Sequence, residues 1–243
     1  MASPSVTQPV ADWTALFNDP RFHALNAGPG ERPLHLVAER DGRVAGSLGG
    51  VLEPDGTFVC GHSAPFGGPD LARPRETPEA VDAILDDLLA QLEAGGAHAV
   101  RVKLKPPSWS ENEALLLHGL LRRGFRVDDC DLSFAIDLRG VRRLDDHLDR
   151  LRSSARRAVR QLADGPFRFT TAADDAAWDR AWGVIEANRA AKGYRLALSG
   201  DYVRRARDTF GDRVRLSLLE HAGEPCAAAL VYRVAPRKDL LVA

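Results

Sequence analysis

Long apolar runs, clustered cysteines and a recognisable catalytic signature are all missing from this sequence. No stretch of the 243 residues approaches the roughly 18–20 apolar positions that a membrane helix needs, so no membrane span is expected. Residues 1–13 carry no basic segment followed by an apolar one, which argues against a secretory signal. The three cysteines, Cys60, Cys130 and Cys226, lie far apart and make no metal-ligand spacing. A sparse, odd set suits a reducing compartment better than a disulfide framework, so the expected location is cytoplasmic and no metal is expected. No short-period repeat or low-complexity segment is present.

What is present is an ordinary globular composition, 44% hydrophobic and 28% charged, enough to bury a core. The net charge of −1 conceals an asymmetry. Residues 1–140 hold 13 Lys and Arg against 20 Asp and Glu, whereas residues 141–243 hold 20 against 14. The second part therefore has the composition of an anion-facing surface, although charge also varies along chains without purpose.

The pattern of the first part is legible as alternating elements. Residues 34–39 and 44–53 are apolar runs joined by Asp41-Gly42, a pair that takes the positive φ angles of a tight hairpin turn. Pro54-Asp55-Gly56 then turns the chain into a third strand at 57–61. After a Gly- and Pro-rich loop at 62–77, Thr77 caps a helix with Pro78 at its first position. Val81, Leu85, Leu88 and Leu92 recur at helical spacing, and Gly95-Gly96 ends the helix. A strand is predicted over 97–105 and a capping box at Ser110 and Glu113 opens a helix that reaches Gly124. Residues 125–138 read as a long β segment, with Asp128-Asp129 as a point of interruption, giving the order βββ-α-β-α-β.

One long helix is predicted over 144–163, on a stripe of Leu144, Leu148, Leu151, Ala155, Ala158 and Leu162. A strand at 167–171, a helix at 176–191 with Trp178, Trp182 and Ile185 buried, and a helix from the Ser199 cap to Phe210 follow. A hairpin at 214–220 and 227–234, and the start of another strand at 240–243, complete the chain.

Four local features resemble the FemAB-like branch of the GNAT acyltransferases. Pro65-Phe66-Gly67-Gly68-Pro69 looks like that family's P-aromatic-G-G-P loop before the first main helix. Residues 131–138 resemble the strand closing its first domain. Residues 151–160, with Arg152, Arg156, Arg157 and Arg160, are similar to its basic linker helix, and residues 188–202 to the start of its second domain. The resemblance implies an α/β (α+β) fold with a mixed, mostly antiparallel sheet flanked by helices. It divides the chain into a complete GNAT-like domain, 1–140, and the opening part of a second, 141–243. It implies an acyl or aminoacyl transfer to an amine, from acyl-CoA (acetyl-CoA) or aminoacyl-tRNA. The acceptor would be a small molecule, an amino sugar, a peptide or a peptidoglycan precursor. The Q/R-x-x-G-x-G/A loop that cradles the acyl-CoA pyrophosphate in many GNAT enzymes has no match here.

Candidate site residues follow from charge and spacing. Arg152, Arg156 and Arg160 share one helix face, with Arg157 beside them. They offer planar forks that fit phosphate or carboxylate, or they are solvated cations placed by the helix dipole. Arg189, Lys192, Tyr194 and Arg195 cluster at a helix end around Gly193, either to bind an anionic acceptor or simply as a capped terminus. Phe66, Gly67 and Gly68 offer a place where backbone approaches a substrate, or only a turn of small residues. The same resemblance puts an acceptor groove near residues 66–69 and 189–195. His62 beside that loop is a candidate base; the other histidines have no Ser or Cys partner at a recognisable spacing. GNAT-type transfer asks for positioning and oxyanion stabilisation rather than a nucleophilic side chain, so catalytic residues stay unassigned. Two other classes remain open: a non-catalytic binding module or inactive fragment, and an RNA-binding protein using the basic helix, whose lack of aromatics argues against base stacking.

Overall fold

A computed structural model describes residues 11–242; the sequence at 1–10, and with it most of the segment examined for a secretory signal, lies outside the described residues. The chain separates into two compact units. One runs to Ser133 and takes in Val234–Lys238; the other comprises Phe134–Arg233 and Asp239–Ala243.

The first unit opens with a 3₁₀ turn, Leu16–Asn18, and helix α1, Pro20–Asn26. Asp19 caps α1 by accepting from the Arg21 amide, and Pro20 fills the first position, where its missing N–H costs nothing. Phe17 and Phe22 are buried edge to face with centroids 5.1 Å apart. The meander follows as β1 (Arg32–Arg40), β2 (Arg43–Leu52) and β3 (Thr57–Cys60), antiparallel in order. Asp41 and Gly42 take φ of 51° and 69°, as the predicted two-residue turn requires. A bulge between Ala38 and Glu39 shifts the register of β1 on β2. The loop after β3 contains a short strand the sequence reading did not separate, β4 (Asp70–Leu71), which pairs with β2.

Helix α2 (Pro78–Ala94) carries the core. The Thr77 hydroxyl accepts from Ala80 N, and Val81, Ile84, Leu85, Leu88 and Leu92 are all buried. At about 2 kcal/mol per buried aliphatic side chain, that face supplies on the order of 10 kcal/mol before entropy. Ile84, Leu88 and Leu92 pack on Leu48, Phe58 and Cys60 of the sheet, while Val81 and Leu85 pack on Leu116 and Leu120. Strand β5 (Ala99–Val102) runs parallel to β3, so the sheet is mixed but mostly antiparallel. It is shorter than the predicted 97–105.

Helix α3 (Glu113–Arg122) starts at Asn112 rather than Ser110. The Ser110 hydroxyl donates to Glu113 and accepts from Asn112 N, so the predicted pair meets just outside the helix. Asn112 is buried and ties the loop before α2, accepting from Glu76 N and donating to Arg73 O. The predicted strand at 125–138 does not form; those residues have no regular structure among the described elements.

In the second unit the single long helix is corrected to two. Helix α4 (Leu144–Leu148) ends in a tight turn, Leu151 N donating to Leu148 O, and Arg152 is extended, with ψ of 150°. Helix α5 then runs over Ser153–Asp164. An apolar period that continues through Leu151 and Ala155 cannot reveal a one-turn break. Strand β6 (Phe167–Thr171) is followed by α6 (Asp175–Ala191), capped by Asp174, with Trp178, Ala181, Trp182 and Ile185 buried. Helix α7 (Gly200–Phe210) is capped by Ser199 and buries Val203, Ala206 and Phe210. Strands β7 (Val214–His221), β8 (Glu224–Ala235) and β9 (Lys238–Leu241) complete a sheet in the order β6-β7-β8-β9.

Candidate functional site

Within the first unit, the Phe66-Gly67-Gly68 segment is held by the chain itself. Phe66 is buried between Phe17 and Trp109, with centroids at 5.3 and 5.1 Å. The Gly67 amide donates to Lys103 O at 2.7 Å, and the Gly68 amide to Cys60 Sγ at 2.9 Å. A Cβ on Gly67 would lie 2.7 Å from Gly61 N and 2.9 Å from that sulfur. Both loop donors are thus satisfied internally, and the close approach these glycines permit is to protein backbone. A ligand at this loop would meet side-chain surface rather than free N–H groups.

Beneath the loop lies a polar lock. Lys105 and Asp70 are buried and paired at 3.1 Å. The ammonium also donates to Gly68 O and Pro69 O, at 3.1 and 2.7 Å. Asp70 Oδ2 accepts from Ala15 N and Asn18 Nδ2, and Asn18 Nδ2 also donates to Gly68 O. Every charge here is compensated, as burial demands. The sequence showed only a Lys at the end of an apolar run.

Two histidines are close by. Burial of His23, with the neighbouring His35 and His62 opposing a further positive charge, lowers its pKa to about 4. Burial also lowers that of His35. Burial pushes the Cys60 thiol up to about 11, so it behaves as a small apolar side chain. His62, the candidate base, sits 3.5 Å from Glu31. Glu31, Glu53 and His62 each present a ligand atom within 4.8 Å of the others. Two carboxylates and an imidazole are a donor set that a borderline divalent ion accepts.

The arginines of the second unit occupy the N-terminal two-thirds of α5, with Arg152 at its cap. The broken helix reverses the expected dipole relation: cations at a helix start are disfavoured there and are offset only by anions supplied from outside the helix. Arg156 reaches Asp149 at 3.6 Å and the carbonyls of Asp149 and Leu151. Arg152, Arg157 and Arg160 are exposed and in no ion pair among the described residues. No residue of α5 is buried.

Arg189, Lys192, Tyr194 and Arg195 gather at the end of α6. Gly193, with φ of 67°, lets Tyr194 N return to Arg189 O at 2.9 Å. Tyr194 is 60% exposed, and none of the three cations pairs with a carboxylate among the described residues. The other end of α6 is different. Arg207 stacks 5.0 Å over Trp178 and pairs with Asp175, and Arg204 pairs with Asp179. Between α6 and the start of α7 lies an open depression of about 350 Å³, lined by Asp179, Trp182, Glu186, Ser199, Asp201 and Arg204. Its acidic wall was missed in the sequence, although Asp179, Trp182 and Glu186 follow i, i+3, i+7 spacing.

Residues 149–237 match the family model described as "Acetyltransferase (GNAT) domain". The chain is also similar in structure to the solved FemX, at 17% identity and a TM-score of 0.59. That likeness covers 88% of this chain and 54% of the FemX chain, so the chain spans about half of that structure's length. No curated protein matches in sequence. Among the described residues, no helix is long and apolar enough to cross a membrane.

Proposed function

We propose that this chain, a FemAB-like protein with the GNAT fold, is a cytoplasmic N-acyltransferase that moves an acyl or aminoacyl group onto a primary amine. The observation carrying this reading is the family match over 149–237. The donor is acyl-CoA, acetyl-CoA first, or aminoacyl-tRNA; the acceptor is an amino sugar, a peptide or a peptidoglycan precursor. Transfer joins the amine nitrogen to the acyl carbon, breaks the bond from that carbon to the donor's sulfur or ribose oxygen, and passes the proton lost from nitrogen to the leaving group, which departs as a thiol or hydroxyl.

The unpaired arginines of α5 and the Arg189, Lys192 and Arg195 cluster are assigned to anionic groups, the phosphates of the donor or of a nucleotide-linked acceptor. The acidic depression beside Trp182 suits an amine, which binds as a cation and must lose a proton before it attacks. Phe66, Gly67 and Gly68 are kept as a rigid wall for substrate rather than as backbone donors.

The test is direct. Purified chain is incubated with labelled acetyl-CoA or aminoacyl-tRNA and a panel of amino sugars and peptides, and amide product is measured. Product from any pair supports the reading; no product with every pair, and no rise in melting temperature with any donor, removes it. A binding module is the second reading, favoured by the missing pyrophosphate motif and the internally satisfied loop amides. A donor that raises the melting temperature without turnover would select it.

A further inference from the structure

Residues 132–138 alternate apolar and small or polar side chains, the pattern of a half-buried strand, yet nothing among the described residues covers them. Leu132, Phe134, Ile136 and Leu138 are 82, 90, 76 and 58% exposed. No backbone N–H or C=O of residues 131–136 bonds to another backbone group among the described residues. In an extended segment their alternation puts these four exposed apolar side chains on one face, and with backbone that is unpaired among the described residues they form an edge that seeks a strand.

We propose that this edge pairs with the same segment of a second copy of the chain, antiparallel, with Ala135 on the two-fold axis. Two observations select that partner and register. The Arg150 guanidinium already occupies the carbonyls of Asp137 and Arg139, at 2.9 and 3.1 Å. In an extended segment alternate residues turn their N–H and C=O to opposite edges, so Leu132, Phe134 and Ile136 present theirs to the open side. Pairing about Ala135 then sets Leu132 opposite Leu138 and Phe134 opposite Ile136, so that every apolar side chain meets another on the same face.

Charge is the second selector. The segment is acidic before its apolar core, at Asp128, Asp129 and Asp131, and basic after it, at Arg139, Arg142 and Arg143. An antiparallel copy brings the ends together, with Asp131 opposite Arg139, whose guanidinium also holds Asp137 at 2.8 Å; the chain turns at Arg139-Gly140, so the ladder ends there. The neighbouring registers are worse. Sliding two residues one way puts Asp131 opposite Asp137; sliding the other way puts Leu132 opposite Gly140 and Asp131 opposite Val141. A two-stranded ribbon is marginal alone, so the dimer forms in a concentration-dependent way.

Sedimentation velocity on the full chain over a concentration series provides the first measurement. Association is expected, and Phe134→Lys should weaken it by about tenfold or more. Asp131→Arg and Arg139→Asp should each weaken it, and their combination should restore it. Register is read by cysteine capture in a Cys130→Ser, Cys226→Ser background. Ala135→Cys should oxidise rapidly to a disulfide-linked dimer, because a non-hydrogen-bonded antiparallel pair places its Cα atoms at bridging distance. Ser133→Cys, which faces residue 137, should not. A chain that stays monomeric at every concentration overturns the proposal. So do association indifferent to Phe134→Lys, or Ala135→Cys oxidising no faster than Ser133→Cys. A monomer destabilised by Phe134→Lys would show the edge covered from within its own chain, and this too would overturn it.

Discussion

Replacing Lys105 by Met should unlock the Phe66–Gly68 loop and cost the first unit about 3–5 kcal/mol. The side chains of Lys105 and Asp70 are 1 and 6% exposed, and the ammonium serves Asp70, Gly68 O and Pro69 O together. The substitution keeps volume while leaving a carboxylate buried with only the Ala15 and Asn18 donors. Breaking a buried pair from one side typically costs 3–5 kcal/mol, whereas removing both charges costs far less. The Asp70→Asn, Lys105→Met double variant should therefore be closer to wild type than Lys105→Met alone. Because two units need not unfold together, global melting is a poor assay, and hydrogen exchange of peptides from β1 to β3 is the better one. Their slowest amides should exchange about a hundred- to a few-thousandfold faster in Lys105→Met. A change of less than about threefold, or a double variant worse than the single, would refute the reasoning that charge compensation holds this loop.

Further outcomes follow from the same geometry. His23 is neutral when folded, with a pKa of about 4, so the unfolded state binds the extra proton as pH falls below 6.5. Stability should be full above pH 6.5 and fall by up to about 3 kcal/mol on the way to pH 4; urea midpoints at pH 7 and 4.5 would show it, and His23→Phe should flatten the slope. A Cβ on Gly49 would lie 2.5 Å from His23 Nε2 and 2.6 Å from Asn18 O. Gly49→Ala should accordingly cost about 1–3 kcal/mol by overpacking, read as faster exchange in β2. Arg157→Gln with Arg160→Gln should leave the melting temperature nearly unchanged, since neither side chain is in an ion pair among the described residues. Under the transferase reading the pair should raise the KM for the donor by about tenfold, with a weaker salt dependence.

What the sequence made legible was whatever local chemistry decides. The Asp41-Gly42 hairpin, the Thr77 cap with Pro78, the Ser199-capped helix of the second unit and the buried Trp178 and Trp182 all appear as read. The resemblance to FemAB-like GNAT proteins, and the mixed, mostly antiparallel fold it implied, agree with the family match and the FemX likeness. The signal for α1 is also local, Asp19 followed by Pro20, but its seven residues are too few to show an apolar period. Strand β4 is two residues long and exists only because β2 offers it an edge, which no periodicity can announce.

The candidate site divides along the same line. Spacing correctly places Arg156 and Arg160 on one turn-to-turn row, but whether cations lie at the start or end of a helix depends on where the helix begins. That boundary falls at Arg152, whose extended backbone separates α5 from α4, and beside the break the Arg150 side chain bonds the carbonyls of 137 and 139. Glycines 67 and 68 show the converse. Their type predicts close approach, but the partner, a ligand or the chain's own Cys60 and Gly61, is fixed only by folding. A glycine pair before a helix is therefore weak evidence for a ligand loop unless its amides are free. Here the amides of Gly67 and Gly68 are taken, so an anion at this loop would have to be met by side chains rather than by backbone.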